Sequence, residues 1–485
     1  MTKQFRGKLE KMDAYRWRIP ESYSPGMRVP GVIYSSEKLL RDVISDNAPE
    51  QVANAAWLPG VVRASMAMPD IHWGYGLPIG GVLATDIDAG GVVTPGGVGY
   101  DINCGVRLIR TDMPLSKISG SLKGLAEELF RSVPTGVGST GEIKLDGRNA
   151  EDILTGGAKW AVSRGFGWDS DIDRSEENGA MEGADPGHVS KRAFERGYDQ
   201  TGTLGSGNHF LEVQEVVEIY DEKSAKVFGV EKGLITVMIH TGSRGFGHEI
   251  CSEYSAKMVG LSAKAGISLP DKQLSCVPVN SEDGKRYLGA MRSAANYAWA
   301  NRQVITHLVR QAFQRVFGET PISLGMRLVY DVAHNIAKVE KYDMGGKEKK
   351  LCVHRKGATR ALPPGHKDLP DEYRLTGQPV IIPGDMGRYS FLLAGTEKAE
   401  ETFYSTCHGA GRLMSRSEAI RTTKGRQIAK ELEAKGIYLR YKGRETVHEE
   451  VPEAYKDVAD VVDVVVGAGI SRKVAKMRPL CVVKG

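Results

Sequence analysis

Asp101 and Cys104 stand three residues apart inside the glycine-rich stretch Gly-Gly-Val-Gly-Tyr-Asp-Ile-Asn-Cys-Gly-Val-Arg at 96–107. A carboxylate and a thiolate this close are able to share a metal ion. The spacing is not a CxxC pair and no histidine lies within it, so further ligands must come from far along the chain. Three histidines answer that demand. His240 closes the apolar run Leu-Ile-Thr-Val-Met-Ile-His at 234–240, and His334 closes Leu-Val-Tyr-Asp-Val-Ala-His at 328–334. His209 sits in a glycine loop that runs into an alternating, strand-like segment. One thiolate, one carboxylate and three imidazoles suit a borderline-soft divalent ion, Mn, Zn, Fe or Co, better than Mg or Ca. Two ions bridged by Cys104 would use all five ligands, and two metals ~3.5–4 Å apart clamp the attacking and leaving oxygens of a phosphoryl displacement. On spacing alone the competing reading, isolated core histidines, stays open.

His408, in Cys-His-Gly-Ala-Gly at 407–411, is expected to open a helix whose N-terminal amides receive an anion. Its neutral imidazole serves as a nucleophile for a nucleotidyl group as readily as a metal ligand, and a capping or core histidine is the third reading. Arg355, Lys356 and Arg360 surround a glycine, which fits either phosphate oxygens or a solvated loop. Asp70 and His72, two apart after a proline, share one side of the segment if it is extended and mark a turn if it is not. Arg244 follows His240 in a loop; His248 is a weaker participant, and His307 reads as structural.

Several elements must position these groups. Helical spacing is expected at 37–44, 121–131, 290–317, 412–435 and 455–466, the last carrying a core stripe of valines. Strands are expected to deliver His240 and His334, and a short strand breaks into a Pro-Gly turn at 383–384. Lys341 to Lys350 reads as a charged turn. Residues 166–200, rich in Asp and Glu, are expected to form an exposed loop or lid, and the tail ending on Lys484 and Gly485 to fray unless it docks.

Composition sets the frame. A chain of 485 residues, 41% hydrophobic, has ample material for a core, and length alone assigns roughly three domains. No run approaches the ~18 apolar residues of a membrane span. The start, Met-Thr-Lys-Gln-Phe-Arg-Gly-Lys, lacks a signal-peptide apolar region, so a soluble cytoplasmic protein is expected. Six dispersed cysteines argue against a disulfide framework. A net charge of +5 is too small to identify a nucleic-acid binder.

Four motifs in order, Gly-Tyr-Asp-Ile-Asn-Cys-Gly-Val-Arg at 99–107, Gly-Ser-Gly-Asn-His-Phe-Leu-Glu at 205–212, Asp-Val-Ala-His-Asn at 331–335 and His-Gly-Ala-Gly-Arg at 408–412, closely resemble the RtcB-type tRNA-splicing RNA ligases. The resemblance runs from Met-Pro-Asp-Ile-His near residue 70 to the final Val-Val-Lys-Gly. It implies an α+β fold with mixed sheets around a deep metal-containing cleft, and one catalytic domain over 1–485 in place of three. It also implies a GTP- and Mn-dependent ligase joining RNA 2′,3′-cyclic phosphate or 3′-phosphate ends to 5′-hydroxyl ends, in tRNA splicing or RNA repair, with tRNA halves as substrates and an archease-type activator as a possible partner.

By the same resemblance His408 is the guanylylated residue. Asp101, Cys104 and His209 would hold one Mn, and Cys104, His240 and His334 the other. Guanylate contacts carry over to Asn208, His209, Phe210, Leu211, Glu212, His334 and Asn335, and to the turn of Pro383, Gly384, Asp385 and Met386. They extend to Ser390, to His408 with Gly409, Ala410 and Gly411, and to Lys484; Tyr455 matches an aromatic that stacks near the guanine. Asp385 departs from the pattern, since some members have Ser there, so the backbone of that turn carries the implied contact. Asp70, Arg244 and Lys356 match positions assigned to RNA termini. Two rival readings stand beside this one: a dinuclear phosphodiesterase or nuclease, in which His408 has no covalent role, and a non-catalytic RNA-binding scaffold.

Overall fold

The β-branched runs that end in His240 and His334 flank the strand Gly105–Pro114 in an eight-stranded sheet. Its main path runs Arg327–Ala333, Gly105–Pro114, Leu234–Thr241, Phe210–Ile219, Ser471–Lys484, Ser390–Gly395 and Pro379–Ile382, with Tyr438–Tyr441 pairing in parallel beside Ser471–Lys484. The two end strands of this path pack back against each other, so the sheet is curled almost into a barrel. A seven-stranded sheet runs Glu10–Lys11, Arg16–Ile19, Gly31–Tyr34, Ser65–His72, Ile79–Asp86, Glu348–Lys356 and Asn335–Asp343. The chain crosses from one sheet to the other at His334, the single residue between Arg327–Ala333 and Asn335–Asp343. Together the sheets and helices make the α+β fold around a cleft that the resemblance implied.

This computed structural model describes residues 5–485, so the polar start is described only from Phe5 onward and residues 1–4 lie outside the described residues. Among the described residues no helix is long and apolar enough to cross a membrane.

The breaker-free stretch at 290–317 belongs to one helix, Glu282–Phe317. Ser281 caps it by accepting from the Gly284 N–H, and Gly318 stops it at a φ of 69°. Its middle is buried on every side, polar residues included: Asn296, Asn301, Arg302 and Gln303 are all fully enclosed. The valine stripe forms Val458–Gly467, and the tail docks as the strand Ser471–Lys484 with Lys484 buried.

Five expectations are corrected. Lys341 to Lys350 is the tip and arms of a hairpin between Asn335–Asp343 and Glu348–Lys356, and the Arg355 cluster is strand rather than loop. The basic stretch 412–435 is two short helices, Arg416–Thr422 and Ile428–Glu433. His408 follows the strand Ser405–Cys407, eight residues before the next helix begins, so it does not open a helix. Within 166–200, Asp171 and Glu176 are fully buried: Asp171 accepts from both terminal nitrogens of Arg310 at 2.6 and 2.8 Å, and Glu176 accepts from Lys338 and from the Ala333 N–H. Those partners lie more than 130 residues away in sequence, where composition gives no hint of them.

Candidate active site

Antiparallel pairing explains how residues scattered over 380 positions reach one place. In such a sheet the start of one strand lies beside the end of its neighbour. Gly105 pairs with Thr241 and with Ala333, and Phe210 pairs with both His240 and Lys484. Hence Cys104 and His209, each just before a strand, meet His240 and His334, each at or just past a strand end. Lys484 and the turn at 383–386 arrive at the same end of the sheet. The Asp101–Cys104 turn is closed by Cys104 N–H to Asp101 O at 2.9 Å, with Asn103 at φ 51°, a left-handed conformation Asn tolerates better than most residues.

The five candidate ligands converge. Cys104 Sγ lies 3.5 Å from His209 Nε2 and 3.3 Å from His240 Nε2. His240 Nε2 is 3.3 Å from His334 Nε2, and His209 Nε2 is 2.8 Å from Asp101 Oδ2. Two ligand triads result, Asp101–Cys104–His209 and Cys104–His240–His334, and Cys104 belongs to both. Burial, reinforced by His209 and His408, holds His240 well below the usual imidazole range; burial with His408 and His240 does the same to His334. Burial and Asp101 push the Cys104 thiol up. Burial alone would raise Asp101, but His209 and the Cys104 contact bring it down to about 2. The neutral imidazoles of His240 and His334 thus crowd their Nε2 atoms together while their Nδ1 atoms have no hydrogen-bond partner among the described residues. A cation among these atoms relieves the crowding of lone pairs, and the N, S and O donor set fits a borderline-soft divalent ion.

Next to this cluster the His408 ring lies 4.9 Å from that of His334. Asp70 Oδ2 accepts from His408 Nδ1 at 2.6 Å and from the backbone N–H groups of His408 and Gly409 at 2.9 and 3.2 Å. Burial works to raise Asp70, yet His408 and Lys456 hold it below the usual carboxylate range. An ionised acceptor on Nδ1 assigns the proton to that nitrogen and leaves a lone pair on Nε2. Lys456 supports the arrangement from behind, its Nζ donating to Pro69 O and Ile71 O at 3.0 and 2.6 Å on either side of Asp70.

The cleft beside His408 holds about 250 Å³. Of the predicted nucleotide contacts, Asn208, Phe210, Glu212, His334, Asn335, Pro383, Gly384, Asp385, Met386, His408, Gly409, Ala410, Gly411, Tyr455 and Lys484 line it. Three do not. His209 lies in the ligand cluster, Leu211 points into the sheet core, and Ser390 sits behind the wall, where its Oγ accepts from the Gly384 N–H and so braces the turn. Asp385 turns its carboxylate toward Arg388, with Nε and Oδ2 2.8 Å apart.

The three residues expected at RNA ends separate. Asp70 is fully buried behind His408, and Lys356 spends its ammonium on the carbonyls of Tyr75, Leu77 and Gly96, so neither faces a polymer. Arg244 is partly exposed and donates to Thr203 Oγ1 at 3.1 Å beside the loop of His209. Arg355 and Arg360 are likewise committed, to Glu340 and Glu177. His248 stacks on Tyr100, and His307 bonds Gln311.

Glu450 is a wall residue the sequence did not reveal. It is buried, accepts from Arg412 at 3.0 Å and from the Tyr455 hydroxyl, and faces Lys484 at 3.9 Å. In sequence it is one of two adjacent glutamates, a pattern that reads as solvated surface. Glu212, opposite, is pushed up to about 8 by burial, with a hydrogen bond from Gln214 only partly offsetting the shift.

Comparison with known proteins converges on one family. Residues 51–485 match the model of a family described as tRNA-splicing ligase RtcB. A protein of that name from Archaeoglobus fulgidus is 54% identical over 480 residues, covering 99% of both chains. Its namesake from Thermococcus kodakarensis is 52% identical over 478 residues, 98% of this chain and 99% of the relative, and that of Nanoarchaeum equitans 48% over 480 residues, 99% of both.

Proposed function

This chain belongs to the RtcB family, and from that premise we propose that it is an RNA ligase of tRNA splicing. It uses GTP and two manganese ions to join 2′,3′-cyclic phosphate or 3′-phosphate ends to 5′-hydroxyl ends. The observation that carries the reading is the Asp70–His408 pair, opening into a cleft beside two ligand triads that share one thiolate. Asp101, Cys104 and His209 would hold one ion, and Cys104, His240 and His334 the other. When bound, the ions supply Lewis acidity, neutralising charge on phosphoryl oxygens and favouring loss of a proton from an attacking hydroxyl.

The chain's own residues do the rest. His408 Nε2 attacks the α-phosphorus of GTP, so that an N–P bond forms, the bond to the β-phosphate oxygen breaks and pyrophosphate leaves. The ring gains positive charge as it reacts, and Asp70, ionised and bonded to Nδ1, stabilises that charge and fixes the ring. Water opens a cyclic phosphate to the 3′-phosphate, whose oxygen then takes GMP from His408. The 5′-hydroxyl oxygen displaces GMP from the activated end, forming the phosphodiester. Guanine recognition falls to Glu212, Lys484 and the Tyr455 ring on the cleft wall.

A dinuclear phosphodiesterase would need the triads but gives no reason for a buried carboxylate to hold His408 in one tautomer. Incubation with α-labelled GTP and Mn²⁺ separates the two. The expected result is an acid-labile, alkali-stable protein adduct that is absent from His408→Ala. Wild-type protein that binds metal yet forms no adduct overturns the ligase reading in favour of the phosphodiesterase.

A further inference from the structure

Asn301 and Arg302 lie outside the cleft, both fully buried in the middle of the helix Glu282–Phe317. Their side chains are fully engaged, and their partners have one property in common. Arg302 donates from one terminal nitrogen to Asn103 O at 2.8 Å and to Thr241 O at 3.0 Å, and from the other to Asn103 Oδ1 at 3.0 Å and Asp331 Oδ1 at 2.8 Å. Its Nε donates to Asp331 Oδ2 at 2.8 Å. Asn103 lies between Asp101 and Cys104, Thr241 follows His240, and Asp331 is three residues before His334.

Asn301 reaches the remaining segment. Its Oδ1 accepts from the N–H groups of Gly202 and Thr203 at 2.7 and 3.0 Å, and its Nδ2 donates to Thr203 O and Gly242 O at 3.2 and 3.1 Å. Residues 202 and 203 begin the loop that carries His209. Two adjacent positions on one helix therefore touch every segment that bears a candidate ligand. The backbone packs closely on Arg302: a Cβ on Gly105 would lie 3.0 Å from the Arg302 guanidinium and 2.3 Å from Val332 O.

We infer that Asn301 and Arg302 are positioning residues for the metal centre, fixing the two triads relative to each other across the shared Cys104. The inference rests on reading the triads as a metal centre. Four separate backbone segments cannot hold five ligand atoms to a fraction of an ångström by themselves, since each meets the site only at the end of a strand. A buried helix with hydrogen bonds to each supplies a common rigid reference.

The test is titration of metal-stripped protein with Co²⁺, read by the thiolate-to-cobalt and d–d absorption bands and by bound stoichiometry in native mass spectrometry. Arg302→Lys keeps the charge but cannot span three partners, and is expected to weaken cobalt binding about 10- to 100-fold, the range typical of residues that orient ligands. Asn301→Ser is expected to weaken chiefly the ion held by the triad containing His209. Arg310→Lys is the control. Arg310 is as deeply buried on the same helix and paired with Asp171, but bonds no ligand-bearing segment. It should lose comparable stability to denaturant while binding cobalt as wild type does. Wild-type affinity in Arg302→Lys and Asn301→Ser overturns the inference, as does an equal loss in Arg310→Lys. If Arg302→Lys does not fold, Asn301→Ser against the same control decides. Wild-type protein that takes up no cobalt at all overturns the metal reading itself, a result distinct from any of these.

Discussion

At the scale of single residues the site depends on protonation states set by burial. On the proposed ligase reading Asp70 matters because an ionised oxygen on His408 Nδ1 leaves Nε2 to act as the nucleophile. Asp70→Asn presents a neutral amide there, and the initial rate of GMP transfer to His408 should fall by about 100-fold or more, a general acid–base-sized effect, as followed by label incorporation. Glu212 gives a pH prediction. Its pKa rises from an ordinary 4.5 to about 8 in the folded protein. The unfolded chain therefore releases this proton before the folded one does, and stability falls as pH climbs from about 4.5 toward about 8 and then levels. Urea midpoints of wild type minus those of Glu212→Gln should decline through that window, by the equivalent of a few kcal/mol. A flat difference would show that the carboxyl is ionised throughout.

At the scale of elements, the strand ends carry the chemistry and the loops entering them are tightly constrained. Gly205 has φ 89°, and a Cβ there would sit 2.5 Å from His209 Nδ1 and 2.4 Å from an Arg244 nitrogen. Gly205→Ala should displace His209 and lower the bound metal from two ions toward one, measured by elemental analysis, with secondary structure unchanged by circular dichroism. The last strand contributes both sheet pairing and a lysine on the cleft wall. Lys484→Met keeps the pairing and should weaken guanine nucleotide binding at least about tenfold by calorimetry, because the ammonium beside Glu450 and Glu212 is lost. Strand types and most helices were legible from periodicity, since apolar runs ending in histidine are strands with a buried body and a functional tip. The hairpin at 335–356 was not, because its lysines and glutamates alternate at a sheet edge and look like a charged turn.

At the scale of the whole molecule, candidate ligands drawn from residues 101 to 334 would make metal binding and folding one equilibrium. Any ion that binds only the assembled chain stabilises it by about 2.7 kcal/mol when free metal is 100 times Kd. Chelation should therefore lower Tm and added Mn²⁺ restore it, and Cys104→Ser should lose most of that restoration in a scanning calorimeter, because a hydroxyl is a much poorer bridging ligand than a thiolate. Equal metal-induced shifts in both proteins would remove Cys104 from its place in both triads. The network of Arg107, Arg302 and Asp331 under the cluster is buried throughout, so its partners are held by the tertiary fold alone.

The sequence by itself determined the candidate donors and the candidate nucleophile: an Asp–Cys pair in a glycine frame, histidines closing apolar runs, and His408 in a small-residue loop. It did so because residue type limits chemistry, and because four ordered motifs resemble one family. Only the tertiary structure decided which side chains are spent on other partners. Lys356, Arg355 and Arg360 look alike as free cations on paper, yet each meets carbonyls or carboxylates brought from 15 to 281 positions away. Asp70 changed place most, from an RNA-facing candidate to the buried acceptor behind His408, because the strand that carries it packs under a loop 338 residues downstream. Long-range pairing fixes such assignments, and local pattern holds no record of it.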